Sequence, residues 1–229
     1  MMAIIGGLLH NIKSSRLAPK HSYQATSLVV CFRRYCMKLI LASSSPRRAE
    51  ILANAGLPFS VLSSAVDESP YPGEAPAALV QRLANAKADL VTARAVGPAF
   101  IIAADTIVVL GDKILGKPGS PEDARHMLRH LSGRTHTVLT GVALIRVPDG
   151  ERRQFIESTL VHFRPIMEEE LTAYLATEEP YDKAGAYAIQ GRAGRYIPRI
   201  EGCYFNVVGL PLSRVLSELT TLGWSPNSA

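Results

Sequence analysis

Five consecutive apolar residues, Phe100-Ile-Ile-Ala-Ala104, place the tightest constraint on the fold of this 229-residue chain. An unbroken apolar run of that length reads as a strand covered on both faces, so it calls for helices above and below it. The flanking sequence supplies them. Behind Pro76, residues 77–95 set Leu79, Val80, Leu83, Ala86, Leu90 and Val91 on one helical face. Ser120-Pro-Glu-Asp123 is a capping box with proline at the first helical position, opening a helix to about residue 131. Residues 49–55, stopped by Gly56, and residues 168–177 and 211–222 read as further helices. Strands are expected at 38–42, 59–62, 107–110, 113–115, 136–147 and 155–163, with a last one near 204–208. Because strands and helices interleave, the class is α/β with a mixed sheet. No apolar run approaches the ~18 residues needed to cross a bilayer, which excludes an integral helical membrane protein.

The formal net charge of +5 suggests an acidic polymer as partner until its distribution is read. Residues 1–37 hold Lys13, Arg16, Lys20, Arg33 and Arg34 and no acid; the first acid in the chain is Glu50. What remains is a body with 20 basic and 20 acidic residues, so the excess belongs to a leader. Its composition fits a transit peptide, but a disordered tail or an over-long start upstream of Met37 is the preferred account. The domain is therefore set at 38–224, with a short tail at 225–229. Cys31 and Cys36 sit in the leader and the body keeps Cys203 alone, so neither a disulfide framework nor a cysteine zinc site is available there. A reducing cytoplasm is the default location.

Within the body, Ser43-Ser44-Ser45-Pro46-Arg47-Arg48 joins the end of a strand to the start of a helix. Two arginines in a first helical turn oppose the helix dipole, at about 0.3–1 kcal/mol each. Hydroxyls, free backbone N–H groups and guanidiniums there describe a phosphate cradle; a serine cap with two solvated arginines is the plainer reading. Asp105 stands where the apolar run ends, placed to hold a divalent cation, to act as a general base, or simply to cap a turn. Lys87 falls on or beside the apolar stripe of its helix, which points either to a site it reaches into or to a snorkelling side chain. Gly111-Asp-Lys-Ile-Leu-Gly116-Lys117 has the P-loop spacing. However, Pro118 replaces the metal-holding Ser/Thr and the segment reads as a hairpin, so the motif is rejected, leaving Lys117 as a phosphate contact. His126 and His130 lack the other features of a zinc site, and no nucleophile elbow occurs. In Asp182-Lys-Ala-Gly-Ala-Tyr-Ala-Ile-Gln-Gly191, Gln190 offers both a donor and an acceptor to a base; an irregular loop is the alternative.

Taken in order, Lys38-Leu-Ile-Leu-Ala-Ser-Ser-Ser-Pro-Arg-Arg48, Ala104-Asp-Thr106, Gly116-Lys-Pro118, Leu131-Ser-Gly-Arg-Thr-His-Thr-Val138, Lys183-Ala-Gly-Ala-Tyr-Ala-Ile-Gln-Gly191 and Val208-Gly-Leu-Pro211 closely resemble the Maf family of nucleoside triphosphate pyrophosphatases. The resemblance covers about residues 38–224. It implies an inosine triphosphatase-like fold: a mixed twisted sheet flanked by helices, with two lobes and a central cleft. It also implies cleavage between the α and β phosphates with Mg²⁺ or Mn²⁺, and a homodimer. Arg48, Thr106 and Gln190 match the substrate-selecting positions of the branch acting on dTTP and UTP. Asp105 matches the catalytic carboxylate. Ser43, Glu68, Lys87 and Lys117 match phosphate- and metal-binding positions, Glu68 by the less certain alignment. Ser44 departs from the glycine or asparagine that relatives often have.

A triphosphate carries about four negative charges, which Arg47, Arg48, Lys87 and Lys117 would neutralise while Asp105 and Glu68 hold the metal. The expected function is therefore hydrolysis of dTTP and UTP, or of modified pyrimidine triphosphates, to monophosphate and pyrophosphate in nucleotide-pool sanitation. Two rivals remain at this point: a non-hydrolysing regulator of cell division that binds nucleotide or nucleic acid, and a pyrophosphatase of the same fold for other modified nucleotides. The neutral body speaks against a nucleic-acid partner, and no membrane partner is expected.

Overall fold

A computed structural model describes residues 37–225; the expected leader up to residue 36 and the last four residues of the tail lie outside the described residues. Seven strands form one sheet: β1 (Lys38–Leu41), β2 (Ser60–Val61), β3 (Ala99–Leu110), β4 (Lys113–Leu115), β5 (Thr135–Val147), β6 (Arg152–His162) and β7 (Arg199–Glu201). The helices are α1 (Pro46–Asn54), α2 (Pro76–Thr92), α3 (Pro121–Leu131), α4 (Glu168–Leu175), α5 (Tyr204–Val208) and α6 (Leu212–Thr221). Strand order is β2-β1-β3-β5-β6-β7. β1 runs parallel to both neighbours and every other pair is antiparallel, so the sheet is mixed as expected.

The long strands β3 and β5 form the spine. Odd-numbered side chains of β3 face α2, where Ile101 and Ala103 meet Ala84, Ala88 and Val91, and Ile107 and Val109 meet Leu79, Val80 and Leu83. Even-numbered ones face the opposite layer: Phe100, Ile102 and Ala104 pack on Ile51 and Leu52 of α1 and on Val215 and Leu219 of α6. Further along the same face, Val108 and Val138 meet Leu128 and Leu131 of α3 and Leu171 and Tyr174 of α4. The apolar run is thus covered on both sides, and the expected lobes are two ends of one continuous sheet.

Two strand assignments need correction. The strand does not end at Ala104: β3 continues through Asp105 and Thr106 to Leu110, because each residue from Ala99 to Val109 keeps its partner on β5, including Asp105 opposite Gly141. The aromatic and β-branched residues 204–208 form a helix, α5, in place of the expected last strand. Its Asn206 side chain donates to the Val138 carbonyl (3.1 Å) and to Thr159 Oγ1 (3.0 Å). These tertiary bonds override the local β preference. The cap of α3 is also shared differently from the reciprocal box: Ser120 accepts from the Asp123 N–H, but the Asp123 carboxylate accepts from Gly119.

Candidate active site

The site opens at a break in one edge of β3. On that edge β1 pairs only as far as Ile102 and β4 begins only at Val108, so among the described residues no strand lies beside residues 103–107 there. The chain leaving β1 turns away into α1, and the gap becomes a cleft of about 660 Å³, a volume suited to a nucleotide-sized ligand. Ligands of open α/β sheets bind beyond the carboxyl ends of strands, and here that end belongs to β1, whose last residues open the cleft, while Asp105 enters it from the middle of a strand.

Because successive strand residues point to opposite faces, Asp105 and Thr106 supply the two sides of this cleft. On the α2 side, the Lys87 ammonium donates to Asp105 Oδ1 and to Glu68 Oε1, both at 2.6 Å. Lys87 and Asp105 are buried, whereas Glu68 is exposed on the loop before α2. Burial pushes the Glu68 carboxyl upward, but the bond and charge of Lys87 outweigh it and hold it below the usual glutamate value. The lysine anomalous on its stripe is thus a paired one. A close approach makes the pairing possible: a Cβ on Gly141 would lie 2.4 Å from the Val80 carbonyl oxygen, so α2 rests directly on the sheet opposite Asp105.

On the α1 side, the buried Arg48 guanidinium is spoken for at every nitrogen. Nε donates to the Gly209 carbonyl (2.8 Å), Nη1 to Ser43 Oγ (3.0 Å) and Nη2 to Thr106 Oγ1 (3.0 Å). Burial lowers its pKa, and no carboxylate among the described residues bonds it directly. The Thr106 hydroxyl is equally engaged, lying 2.9 Å from Thr140 Oγ1 and donating to Gly209 at 3.4 Å. Arg48 and Thr106 therefore act as one rigid unit. Ser43 is buried and also accepts from the Ser45 N–H at 3.2 Å, as expected of a turn that gathers donors.

At the rim, Arg47 reaches across to Asp182 at 3.3 Å, and Asp182 also pairs with Lys183. Lys117, following Gly116 after β4, is exposed and makes no ion pair among the described residues. Gln190 is exposed beside Ile189, and its amide makes no hydrogen bond among the described residues. All nine residues singled out from the sequence (Ser43, Arg47, Arg48, Glu68, Lys87, Asp105, Thr106, Lys117 and Gln190) line this one cleft. Sequence reasoning missed Gly141 and Asp182 as parts of the site. An Asp-Lys pair opening a glycine-rich segment is a usable signal for Asp182; nothing local marks Gly141.

The site's chemistry is that of hard oxygen donors beside cations. The two carboxylates around Lys87 Nζ already share one cation between them, and oxygen ligands suit Mg²⁺ or Mn²⁺. Among the described residues no group of three or more His, Cys, Asp or Glu could hold a metal alone, so phosphate oxygens or water would complete such a shell. Also among the described residues, no helix is long and apolar enough to cross a membrane.

Comparison with known proteins gives consistent findings. The family described as Maf-like protein matches residues 38–222. The chain is 53% identical over 187 residues to the dTTP/UTP pyrophosphatase of Geobacillus sp. (strain WCH70), covering 82% of this chain and 99% of that one. It is 52% identical over 186 residues to the dTTP/UTP pyrophosphatase of Moorella thermoacetica, covering 81% and 95%. For the protein of the same description from Syntrophus aciditrophicus the values are 48% over 186 residues, 81% and 90%. A solved nucleoside-triphosphatase / dITP/XTP pyrophosphatase from Mycobacterium abscessus aligns at 16% identity over 57% of this chain and 76% of that one, with a TM-score of 0.34, too low to bear on the fold.

Proposed function

The chain belongs to the Maf-like protein family, and from that premise we propose that it hydrolyses dTTP and UTP between the α and β phosphates, releasing the monophosphate and pyrophosphate. The observation that carries this reading is the pairing of Lys87 with Asp105 and Glu68 on one side of the β3 edge, facing the Arg48–Thr106 unit on the other. One side offers carboxylates for water and metal, and the other offers a fixed cationic surface.

In this mechanism the Asp105 carboxylate accepts a proton from a water whose oxygen attacks the α-phosphorus. The bond from the α-phosphorus to its bridging oxygen breaks, and the electron pair leaves with pyrophosphate. Lys87, bonded to Asp105 Oδ1 at 2.6 Å, holds that carboxylate in place. Arg47 and Lys117 at the rim offset charge on the leaving pyrophosphate. A divalent cation held by Asp105 and Glu68, Mg²⁺ or Mn²⁺, would draw charge from the phosphate oxygens when bound. Gln190 reads the pyrimidine edge, while the Arg48–Thr106 unit shapes the surface it is read against.

The proposal extends to a homodimer in the cytoplasm, its oligomeric state tested by sedimentation of the pure protein, and the charge balance of residues 38–229 supports the absence of a nucleic-acid partner. The decisive experiment incubates the protein with Mg²⁺ and a panel of nucleoside triphosphates and identifies the products. Monophosphate plus pyrophosphate from dTTP and UTP is expected; orthophosphate, or no turnover, overturns the reading. Asp105→Asn should lose nearly all pyrophosphate release. Retention of most of it would remove Asp105 from its role.

A further inference from the structure

The turn that carries Gln190 is held from behind by a carboxylate that lies outside the cleft lining. Glu179, in the bend after α4, accepts from the backbone N–H of Arg192 at Oε2 (2.8 Å) and from that of Ala193 at Oε1 (3.2 Å). Oε1 also accepts from the Tyr174 hydroxyl (3.0 Å), whose ring is buried edge-on against Tyr196 at 5.9 Å. The carboxylate is thereby tied to the α4 core. The fit against the turn is tight, since a Cβ on Gly191 would lie 2.3–2.5 Å from the carboxyl atoms. The turn also closes on itself: Gly191 N–H donates to the Ala188 carbonyl and Gly194 N–H to that of Gly191, each at 3.1 Å. At Gly194 a Cβ would come within 2.8 Å of the Ile189 carbonyl oxygen, so residues 189–194 are wound too closely to shift one at a time.

We infer that Glu179 is a positioning residue for base selection: it never touches the nucleotide, but its bonds to Arg192 and Ala193 set where the Gln190 amide stands. The inference rests on the reading of Gln190 given above. A side-chain amide discriminates bases only when donor and acceptor both fall at hydrogen-bond distance, a tolerance of a few tenths of an ångström. Charge-assisted bonds from two successive N–H groups to one carboxylate are the kind that hold a turn to that tolerance. The groups assigned to the phosphates stand on α1, α2, β3 and the loop after β4, so loosening the turn disturbs selection and leaves the chemistry in place.

The test measures kcat and KM for dTTP, UTP and GTP in Glu179→Ala, Gly191→Ala, Gln190→Ala and the Glu179→Ala/Gln190→Ala double variant, together with melting temperatures. Glu179→Ala should lower kcat/KM for dTTP about tenfold, mainly through KM, with GTP unchanged, so that the dTTP-to-GTP ratio falls about tenfold. Gly191→Ala, whose methyl displaces the carboxylate, should do the same. Glu179→Gln, which keeps one acceptor oxygen, should fall between, and it decides by the same ratio if Glu179→Ala does not fold. In the double variant the ratio should be no lower than in Gln190→Ala alone. A lowered melting temperature with an unchanged ratio in Glu179→Ala makes the residue structural and overturns the inference, as does an additive double variant. An unchanged ratio in Gln190→Ala instead removes the reading of Gln190 itself.

Discussion

Lys87 carries its ammonium into a nearly closed space and is bonded there to Asp105, whose side chain is 10% exposed, and to Glu68, whose side chain is 55% exposed. The two partners are therefore unequal. Removing the lysine strands a buried carboxylate, whereas Glu68 turns to water. Lys87→Met should cost about 3 kcal/mol in urea unfolding, and adding Asp105→Asn should recover most of it. Behind the cleft wall, His136 Nε2 lies 2.8 Å from the Tyr187 hydroxyl while its Nδ1 has no partner among the described residues, and the His136, Phe163 and Tyr187 rings meet edge-on. Burial, helped by nearby His162, pushes the imidazole down from 6.5 to about 4. A depressed histidine charges more readily in the unfolded chain, so the folded state loses ground as pH falls. Stability should therefore drop by about 3 kcal/mol between pH 6.5 and pH 4. Carboxyls held low by their partners, Glu74 and Glu170 near 2 among them, also lose their contribution as pH falls towards and through 4.5, so the histidine's share of the change between pH 7.5 and pH 4.7 is read against the same change in His136→Phe. His136→Phe should flatten that difference. At this scale Lys87 was legible as a charge on an apolar stripe. The burial of His136 depends on strands and loops far apart in the chain, which no local pattern encodes.

Helix α2 and strand β5 depend on one another through a missing side chain. Gly141 lets the backbone of α2 descend onto the sheet, and Lys87, two turns further along α2, thereby reaches the strand that pairs with Gly141. In Gly141→Ala the new methyl meets backbone, which yields only if the helix lifts. The expected cost is about 1–3 kcal/mol, with kcat reduced more than KM is raised, since the ammonium leaves Asp105 while Gln190 is untouched. Steady-state kinetics beside a urea titration checks both. The elements themselves were largely readable: the apolar run, Pro76 at the head of α2 and Ser120-Pro121 at the head of α3 all stand where their chemistry requires. The misses have a common cause. Asp105-Thr106 reads as a strand end and residues 204–208 read as a strand because polarity and β preference are local. What decides them is not: the β5 partner of every β3 residue, and the two bonds from Asn206 to β5 and β6.

For the whole molecule, the distribution of charge matters more than its sum. The +5 of the chain resides in residues 1–37, outside the span that matches the family, while the cleft concentrates Arg47, Arg48, Lys87 and Lys117 in a body with no net charge. A chain beginning at Met37 should keep kcat/KM for dTTP within about threefold of the full chain and elute earlier from a cation-exchange column. The mixed sheet and the grouping of the chosen residues in one cleft were anticipated. The break in the β3 edge that creates the cleft was not, since it arises from where two other strands stop pairing. That break also has a metric side. Asp105 and Thr106 lie one residue apart yet look out from opposite surfaces of the sheet, so a nucleotide bound as proposed must follow its margin, with the α-phosphorus at Asp105 on one side and the base at Thr106 on the other. The thickness of a single pleated strand then serves as a gauge for the span from base to α-phosphorus. Analogues whose sugar is lengthened by an atom or two should be refused even when both of their ends are chemically correct.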